Sequence, residues 1–141
     1  GFGMKQILKL ILIIAALITI LLIPIGANDI IENNVLRWTN IISVNGSISF
    51  NGTSGLYKMI IRGQNDVTNI TATATLYYKN SSGSWVEIPK DWSYDVDDNR
   101  LIISETFTAV SGREYKVEFE ATVSTPDYDE PVQDTQIETC P

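Results

Sequence analysis

The stretch Glu114-Tyr115-Lys116-Val117-Glu118-Phe119-Glu120-Ala121-Thr122-Val123 alternates polar and apolar side chains without a break. A period of two puts Tyr115, Val117, Phe119, Ala121 and Val123 on one face and the charged residues and Thr122 on the other. That is the signature of a strand with one buried and one wet face. Further back, Ile70, Ala72, Ala74, Leu76 and Tyr78 alternate with Thr71, Thr73, Thr75, Tyr77 and Lys79. Near the start of the body, Ile42, Val44, Ile48 and Phe50 alternate with Ser43, Asn45, Ser47 and Ser49. No segment from Ile41 onward carries a helical period.

Turn signals recur about every ten residues, the spacing of a sandwich or barrel of short strands. Asn51-Gly52-Thr53-Ser54-Gly55 precedes Leu56–Arg62, and Gly63-Gln64-Asn65-Asp66 precedes the Thr-rich strand. Asn80-Ser81-Ser82-Gly83 leads into Trp85–Ile88. Pro89-Lys90 separates that strand from Asp91–Val96, Asp97-Asp98-Asn99 turns into Leu101–Thr108, and Ser111-Gly112 opens the last strand. The reading is an all-β, Ig-like antiparallel β-sandwich of about seven strands over residues 41–124, preceded by an N-terminal hydrophobic helix. Gly112 followed by Tyr115 at the start of a late strand also matches the position of a tyrosine corner. Residues 28–40 read as a linker. Residues 125–141, with three prolines and five acids, read as an acidic flexible tail with Cys140 exposed in it.

Residues 1–27 have the order of an exported leader. Lys5 and Lys9 form a short positive region, Leu10–Ile23 is apolar apart from Thr19, Pro24 stops the helix, and Gly26-Ala27 offers a cleavage site. The expectation is a signal peptide removed after Ala27 and a secreted or cell-surface protein. Retention of the segment would make it a membrane anchor, and a filament-forming, pilin-like helix is a further alternative. Membrane contact is expected only through this segment if it stays uncleaved.

Composition excludes several chemistries. The 141 residues include 10 basic and 17 acidic side chains, no histidine and one cysteine. There is no imidazole base, no Ser-His-Asp triad, no internal disulfide and no cysteine-based zinc site. A net charge of −7 argues against a nucleic-acid partner.

Four further pieces carry a family resemblance: Arg37-Trp38-Thr39-Asn40-Ile41-Ile42-Ser43, Thr73 through Trp85, Trp92-Ser93, and Ser111-Gly112-Arg113-Glu114-Tyr115-Lys116-Val117. Together they make the chain similar to a group of small secreted, single-domain, Ig-like β-sandwich proteins of Gram-positive, clostridia-like bacteria with no assigned biochemical function. The resemblance implies secretion and fold, and it implies no catalytic residue.

Candidate sites are few. Trp85, Trp92 and Tyr94 lie in neighbouring strands, where exposed aromatics could stack on sugar rings and buried ones would simply fill the core. Trp85 shares its face with Glu87 rather than with Val86 and Ile88, and so is read as outward. Asp95, Asp97, Asp98 and Asn99 place oxygen ligands close together as calcium prefers, although the same residues are ordinary turn formers. Glu114, Glu118 and Glu120 read as a solvated strand face rather than a catalytic carboxylate pair. Asn45, Asn51, Asn69 and Asn80 each begin an N-x-[ST] sequon. The expectation is a non-enzymatic module with no cofactor that binds an extracellular partner or glycan, or serves a structural role. A weak carbohydrate-binding module is the narrower alternative.

Overall fold

The computed structural model describes residues 38–141. The expected N-terminal helix and the leader, with most of the linker, lie outside the described residues. Within them the chain forms seven strands: β1 (Ile41–Asn51), β2 (Ser54–Gly63), β3 (Asn69–Lys79), β4 (Trp85–Val96), β5 (Arg100–Thr108), β6 (Glu114–Ser124) and β7 (Asp129–Thr139). They build two antiparallel sheets, one in the order β1-β2-β5 and the other in the order β4-β3-β6-β7. This is an Ig-like β-sandwich in which the fourth strand joins the sheet of the third. Thr39–Pro141 is a compact unit with its own core, which is what an independently folding domain requires.

Alternation decides the faces as expected in β3 and β6. Ile70, Ala72, Ala74 and Leu76 are buried, as are Tyr115, Val117, Phe119, Ala121 and Val123. The opposing sheet contributes Tyr57, Met59, Ile61, Leu101, Ile103 and Phe107. At one end of the core Phe107 packs against Phe50 at 6.0 Å and Tyr115 at 5.3 Å between ring centroids. A Cβ at Gly55 would collide with the Phe107 ring, so the absence of a side chain there lets the ring lie over the β2 backbone. The tyrosine corner is present: the Val110 backbone N–H donates to the Tyr115 hydroxyl at 2.7 Å. This satisfies a buried phenol and fixes the β5–β6 turn, where Gly112 takes a positive φ of 83°.

Three sequence expectations are corrected. Ile42 is 53% exposed and Ile41 is buried, because the β1–β2 register shifts between Ile41 and Ser43. One extra residue in a strand reverses the facing of what precedes it. Pro89-Lys90 does not end a strand. β4 runs through it, with the register against β3 shifting between Ala74 and Leu76. β4 is an edge strand, where a proline costs no ladder bond and a bulge absorbs the extra residues.

The third correction concerns the acidic tail. Residues 129–139 form β7, paired with β6 from Glu114↔Thr139 to Ser124↔Asp129. The seventh strand is therefore the tail, while the two segments either side of Pro89 count as one. Its inward-facing positions are Glu130, Val132, Asp134, Gln136 and, at the exposed end, Glu138, so a single apolar residue marks this face and hydrophobic alternation is absent. Polar chemistry holds it instead. The Glu130 carboxylate, 7% exposed, accepts the backbone N–H groups of Thr39 and Asn40, each at 3.0 Å. The Asn40 side-chain amide donates to the carbonyls of Val123 and Tyr128, each at 3.1 Å. The chain thus enters and leaves the domain through one clasp, and Thr39 and Asn40 belong to the fold rather than to a linker. Beyond β7, Cys140 is buried rather than exposed. Its N–H donates to the Arg113 carbonyl at 2.9 Å, and its thiol lies 3.4 Å from the Gly52 carbonyl.

Candidate functional site

The three aromatics proposed as a sugar platform do not share a surface. Trp92 is a core residue, 6% exposed, stacked on Tyr57 with ring centroids 6.1 Å apart. Tyr94 points the same way at the β4–β5 side of the sandwich, where its hydroxyl donates to the Glu105 carboxylate. Burial first, and then that hydrogen bond, push the Tyr94 pKa well above the usual tyrosine value. Only Trp85 lies on the outer face of the four-stranded sheet. Trp85 and Trp92 are seven residues apart, and because the slip at Pro89–Asp91 inserts two residues and so keeps the alternation in phase, the two rings fall on opposite faces.

Around Trp85 the structure gathers residues that sequence reasoning had assigned only to a wet strand face. Lys116 Nζ sits 4.7 Å from the ring centroids of both Tyr77 and Trp85, and Lys79 Nζ sits 5.6 Å from Trp85. Both ammonium groups are held from the side by carboxylates, Lys116 by Glu118 at 2.9 Å and Lys79 by Glu114 at 3.4 Å. Ile137, paired with Lys116 across β6–β7 and 47% exposed, continues the patch. Cation–π contacts at partly exposed sites contribute about 0.5–1 kcal/mol each, enough to fix these side chains without burying them. The signal existed in the alternation, since Tyr77, Lys79, Lys116 and Trp85 are all outward positions. What the sequence lacked was the β4–β3–β6 order that makes them neighbours.

Beside the patch, at the end of the sandwich, an open basin of about 710 Å³ is lined by Tyr78, Lys79, Asn80, Val110, Arg113 and Glu114 among others. The Arg113 guanidinium lies 4.4 Å from the Tyr78 ring centroid. Asn80 closes the β3–β4 turn by accepting from the N–H groups of Ser82 and Ser84 at 3.1 and 2.9 Å. That turn is part of the basin wall and is fixed by its own hydrogen bonds.

The calcium candidate resolves differently. The side-chain amide of Asn69 donates to Asp95 Oδ1 at 2.7 Å, to Asp97 Oδ1 at 3.0 Å and to the Val96 carbonyl at 3.2 Å. A neutral amide therefore occupies the space between those carboxylates. Asp98 accepts the N–H of Asn99 at 2.6 Å, and the Asn99 carbonyl accepts the N–H of Gly63 at 2.7 Å. These four residues are the β4–β5 turn and its ties. Among the described residues no group of three or more His, Cys, Asp or Glu side chains converges as a metal site. Of the sequon asparagines, Asn69 and Asn80 spend their side chains on these turn bonds, while Asn45 and Asn51 are exposed on or at the end of β1.

No protein-family model matches the chain, and no curated protein matches it. Solved structures share its sandwich. A PapD-like domain of human CEP192 aligns at 12% identity and TM-score 0.49, covering 73% of this chain and 86% of that one. ACE19, the collagen-binding subdomain of the Enterococcus faecalis surface protein ACE, aligns at 10% identity and TM-score 0.42, covering 73% and 98%. A β-glucuronidase of Parabacteroides merdae aligns at 18% identity and TM-score 0.38 over 70% of this chain but 13% of the enzyme. These are likenesses of sandwich architecture, and they transfer no residue role.

Proposed function

We propose that the chain is an exported or cell-surface, non-enzymatic β-sandwich module that works by recognition through its surface, centred on Trp85, Tyr77, Lys79 and Lys116. One observation carries this reading. Two large aromatic side chains stand outside the core on an exposed sheet face, with their cationic neighbours fixed by carboxylates and an open basin at one side. Such an arrangement presents a rigid, amphipathic contact surface at little conformational cost. These inward carboxylates are engaged in structure: Glu130 in the clasp, Glu105 with Tyr94 and Asp134 with the Gln136 amide. Recognition of a glycan or an extended peptide fits a shallow patch of this kind, with the apolar ring faces and the ammonium groups as the contact points.

The test has two arms. Intact mass of the protein recovered from the medium, starting near Asn28, supports export, and full-length protein confined to washed membranes refutes it. Glycan and peptide arrays probed with the wild type and with Trp85→Ala address recognition. Binding that Trp85→Ala leaves unchanged excludes this patch.

A further inference from the structure

The described part of the chain carries seven basic and fifteen acidic residues, yet the two outer faces do not share them evenly. On the three-stranded sheet the outward positions of β2 are Leu56, Lys58, Ile60 and Arg62, and those of β5 are Arg100, Ile102, Ser104, Thr106 and Thr108. Those of β1 are serines and asparagines, with Ile42 turned outward by the bulge. This face has three cations and no acid. The four-stranded sheet carries Glu87, Asp95, Glu114, Glu118 and Glu120 outward, with Lys79 and Lys116 engaged by two of them. Net charge conceals a domain with one basic side.

Cross-strand register sharpens the point. Arg62 and Arg100 are direct partners on β2 and β5, both exposed, and neither forms an ion pair among the described residues. Like charges directly opposite one another destabilise a sheet. Next to them Ile60 faces Ile102, which is 57% exposed, and the following row holds Lys58. Cations therefore alternate with the half-buried Ile60 and the exposed Ile102 across this face, with Ile42, 53% exposed, at the Arg62 end.

We infer that the outer face of β1-β2-β5 docks on an anionic lipid surface, with Lys58, Arg62 and Arg100 on the headgroups and Ile102 and Ile42 at the acyl boundary. Two features select this occupant: three cations with no acid complement an anionic surface, and exposed isoleucines lie among them. Interleaved isoleucines gain nothing from a soluble polyanion but insert at a headgroup boundary, the amphipathic logic of interfacial binding. The acidic sheet stands on the far side of a sandwich about 10 Å thick. At physiological ionic strength that is more than one Debye length of about 8 Å.

The experiment is co-sedimentation of the segment 38–141 with phosphatidylcholine vesicles, with and without ~30% phosphatidylglycerol, over 50–300 mM salt. The expected result is binding to the anionic vesicles alone, weakening as salt rises. Each cation contributes about fivefold, so Lys58→Gln/Arg62→Gln/Arg100→Gln should bind roughly 100-fold more weakly. Ile102→Ser should lose several-fold while leaving the charge intact. A sign test guards against misfolding. Arg100→Gln removes the Arg62 repulsion, so its unfolding midpoint should equal or exceed that of the wild type while its binding falls. The inference is overturned if neither vesicle binds, if both bind equally, or if the glutamine variants bind unchanged. It is also overturned if Ile102→Ser is without effect and inorganic polyphosphate binds as well as the vesicles, which would identify a soluble polyanion. Trp85→Ala, on the other sheet, should bind the vesicles like the wild type. Failure of the recognition patch and failure of this face are therefore distinguishable.

Discussion

Replacing Glu130 with alanine tests whether a polar clasp, rather than apolar packing, holds the last strand. The Glu130 carboxylate accepts two backbone N–H groups ninety and ninety-one residues away in sequence, each at 3.0 Å. Asn40, whose N–H is one of them, is 3% exposed, so losing the acceptor leaves a buried donor unpaired at a cost of about 1–3 kcal/mol. Thr39 is exposed and water can replace its partner, so its bond contributes only about 0.5–1.5 kcal/mol. The carboxylate's own desolvation, relieved in the variant, offsets part of this. The net expectation is a loss of roughly 1–4 kcal/mol, a large share of the ~5–15 kcal/mol typical of a domain. For about 100 residues it lowers Tm by roughly 5–20 °C. Glu130→Gln keeps one acceptor oxygen and should fall between wild type and alanine. Urea unfolding of the segment 38–141 should show a lower midpoint at unchanged slope. Amide exchange at Asn40 should accelerate in step. A Glu130→Ala midpoint indistinguishable from wild type would refute the clasp and return residues 129–139 to the status of an appended strand.

The remaining predictions use the same unfolding assay or simple spectroscopy. Phe119, 1% exposed at the centre of β6, should lose about 3–5 kcal/mol on Phe119→Ala. Glu118→Ala, exposed and bonded only to Lys116 at the surface, should lose no more than about 1 kcal/mol. Equal losses would mean the two faces of β6 are exchanged. Tyr115→Phe deletes the acceptor for the Val110 N–H and should cost about 1–2 kcal/mol with no change in secondary structure by circular dichroism. Burial raises the hydroxyl pKa of Tyr57, with a smaller push from Asp134, and raises that of Tyr94. The unfolded chain releases these protons near the usual tyrosine value of about 10, whereas the folded one keeps them. Stability is therefore full below about pH 10 and falls as pH rises above it. Ultraviolet titration should show these two phenols ionising together with unfolding, and independent ionisation of both before unfolding would contradict their burial. Cys140, fully buried, should react with a thiol reagent slowly in the native state and quickly in denaturant, whereas equal rates would contradict its packing at the base of the sandwich.

Legibility in the sequence followed the chemistry of each strand. β3 and β6 lie in the middle of the larger sheet and bury one full face. Their inward positions are apolar and a period of two reads them without error. β7 lies at an edge, and four of its five inward-facing positions, Glu130, Asp134, Gln136 and Glu138, are polar. Inward polar groups blunt a sheet edge against association with other chains, and they also erase the hydrophobic signal that would reveal the strand. The Arg62–Arg100 pair and the Trp85–Lys116 contact were equally hidden, because each joins strands that are not consecutive or depends on a bulge. The Asp95–Asn99 cluster was visible as a group of acids. Its partner Asn69, 26 residues before Asp95, was not.

By itself the sequence determined the class: an all-β domain of about seven strands, with the tyrosine corner and the outward face of β6, though not the continuity of β4 through Pro89 or the existence of β7. It determined the absence of histidine and of a cysteine pair as well. These are local properties, set by side-chain period, turn chemistry and composition. Tertiary structure alone decided that the acidic C-terminal segment is a strand, that Cys140 and Trp92 are interior, and that an acidic chain has one basic face. Each of these depends on which strands become neighbours and in what register. A shift of one residue, as at Ile42, reverses a side chain's face while leaving the sequence pattern around it unchanged.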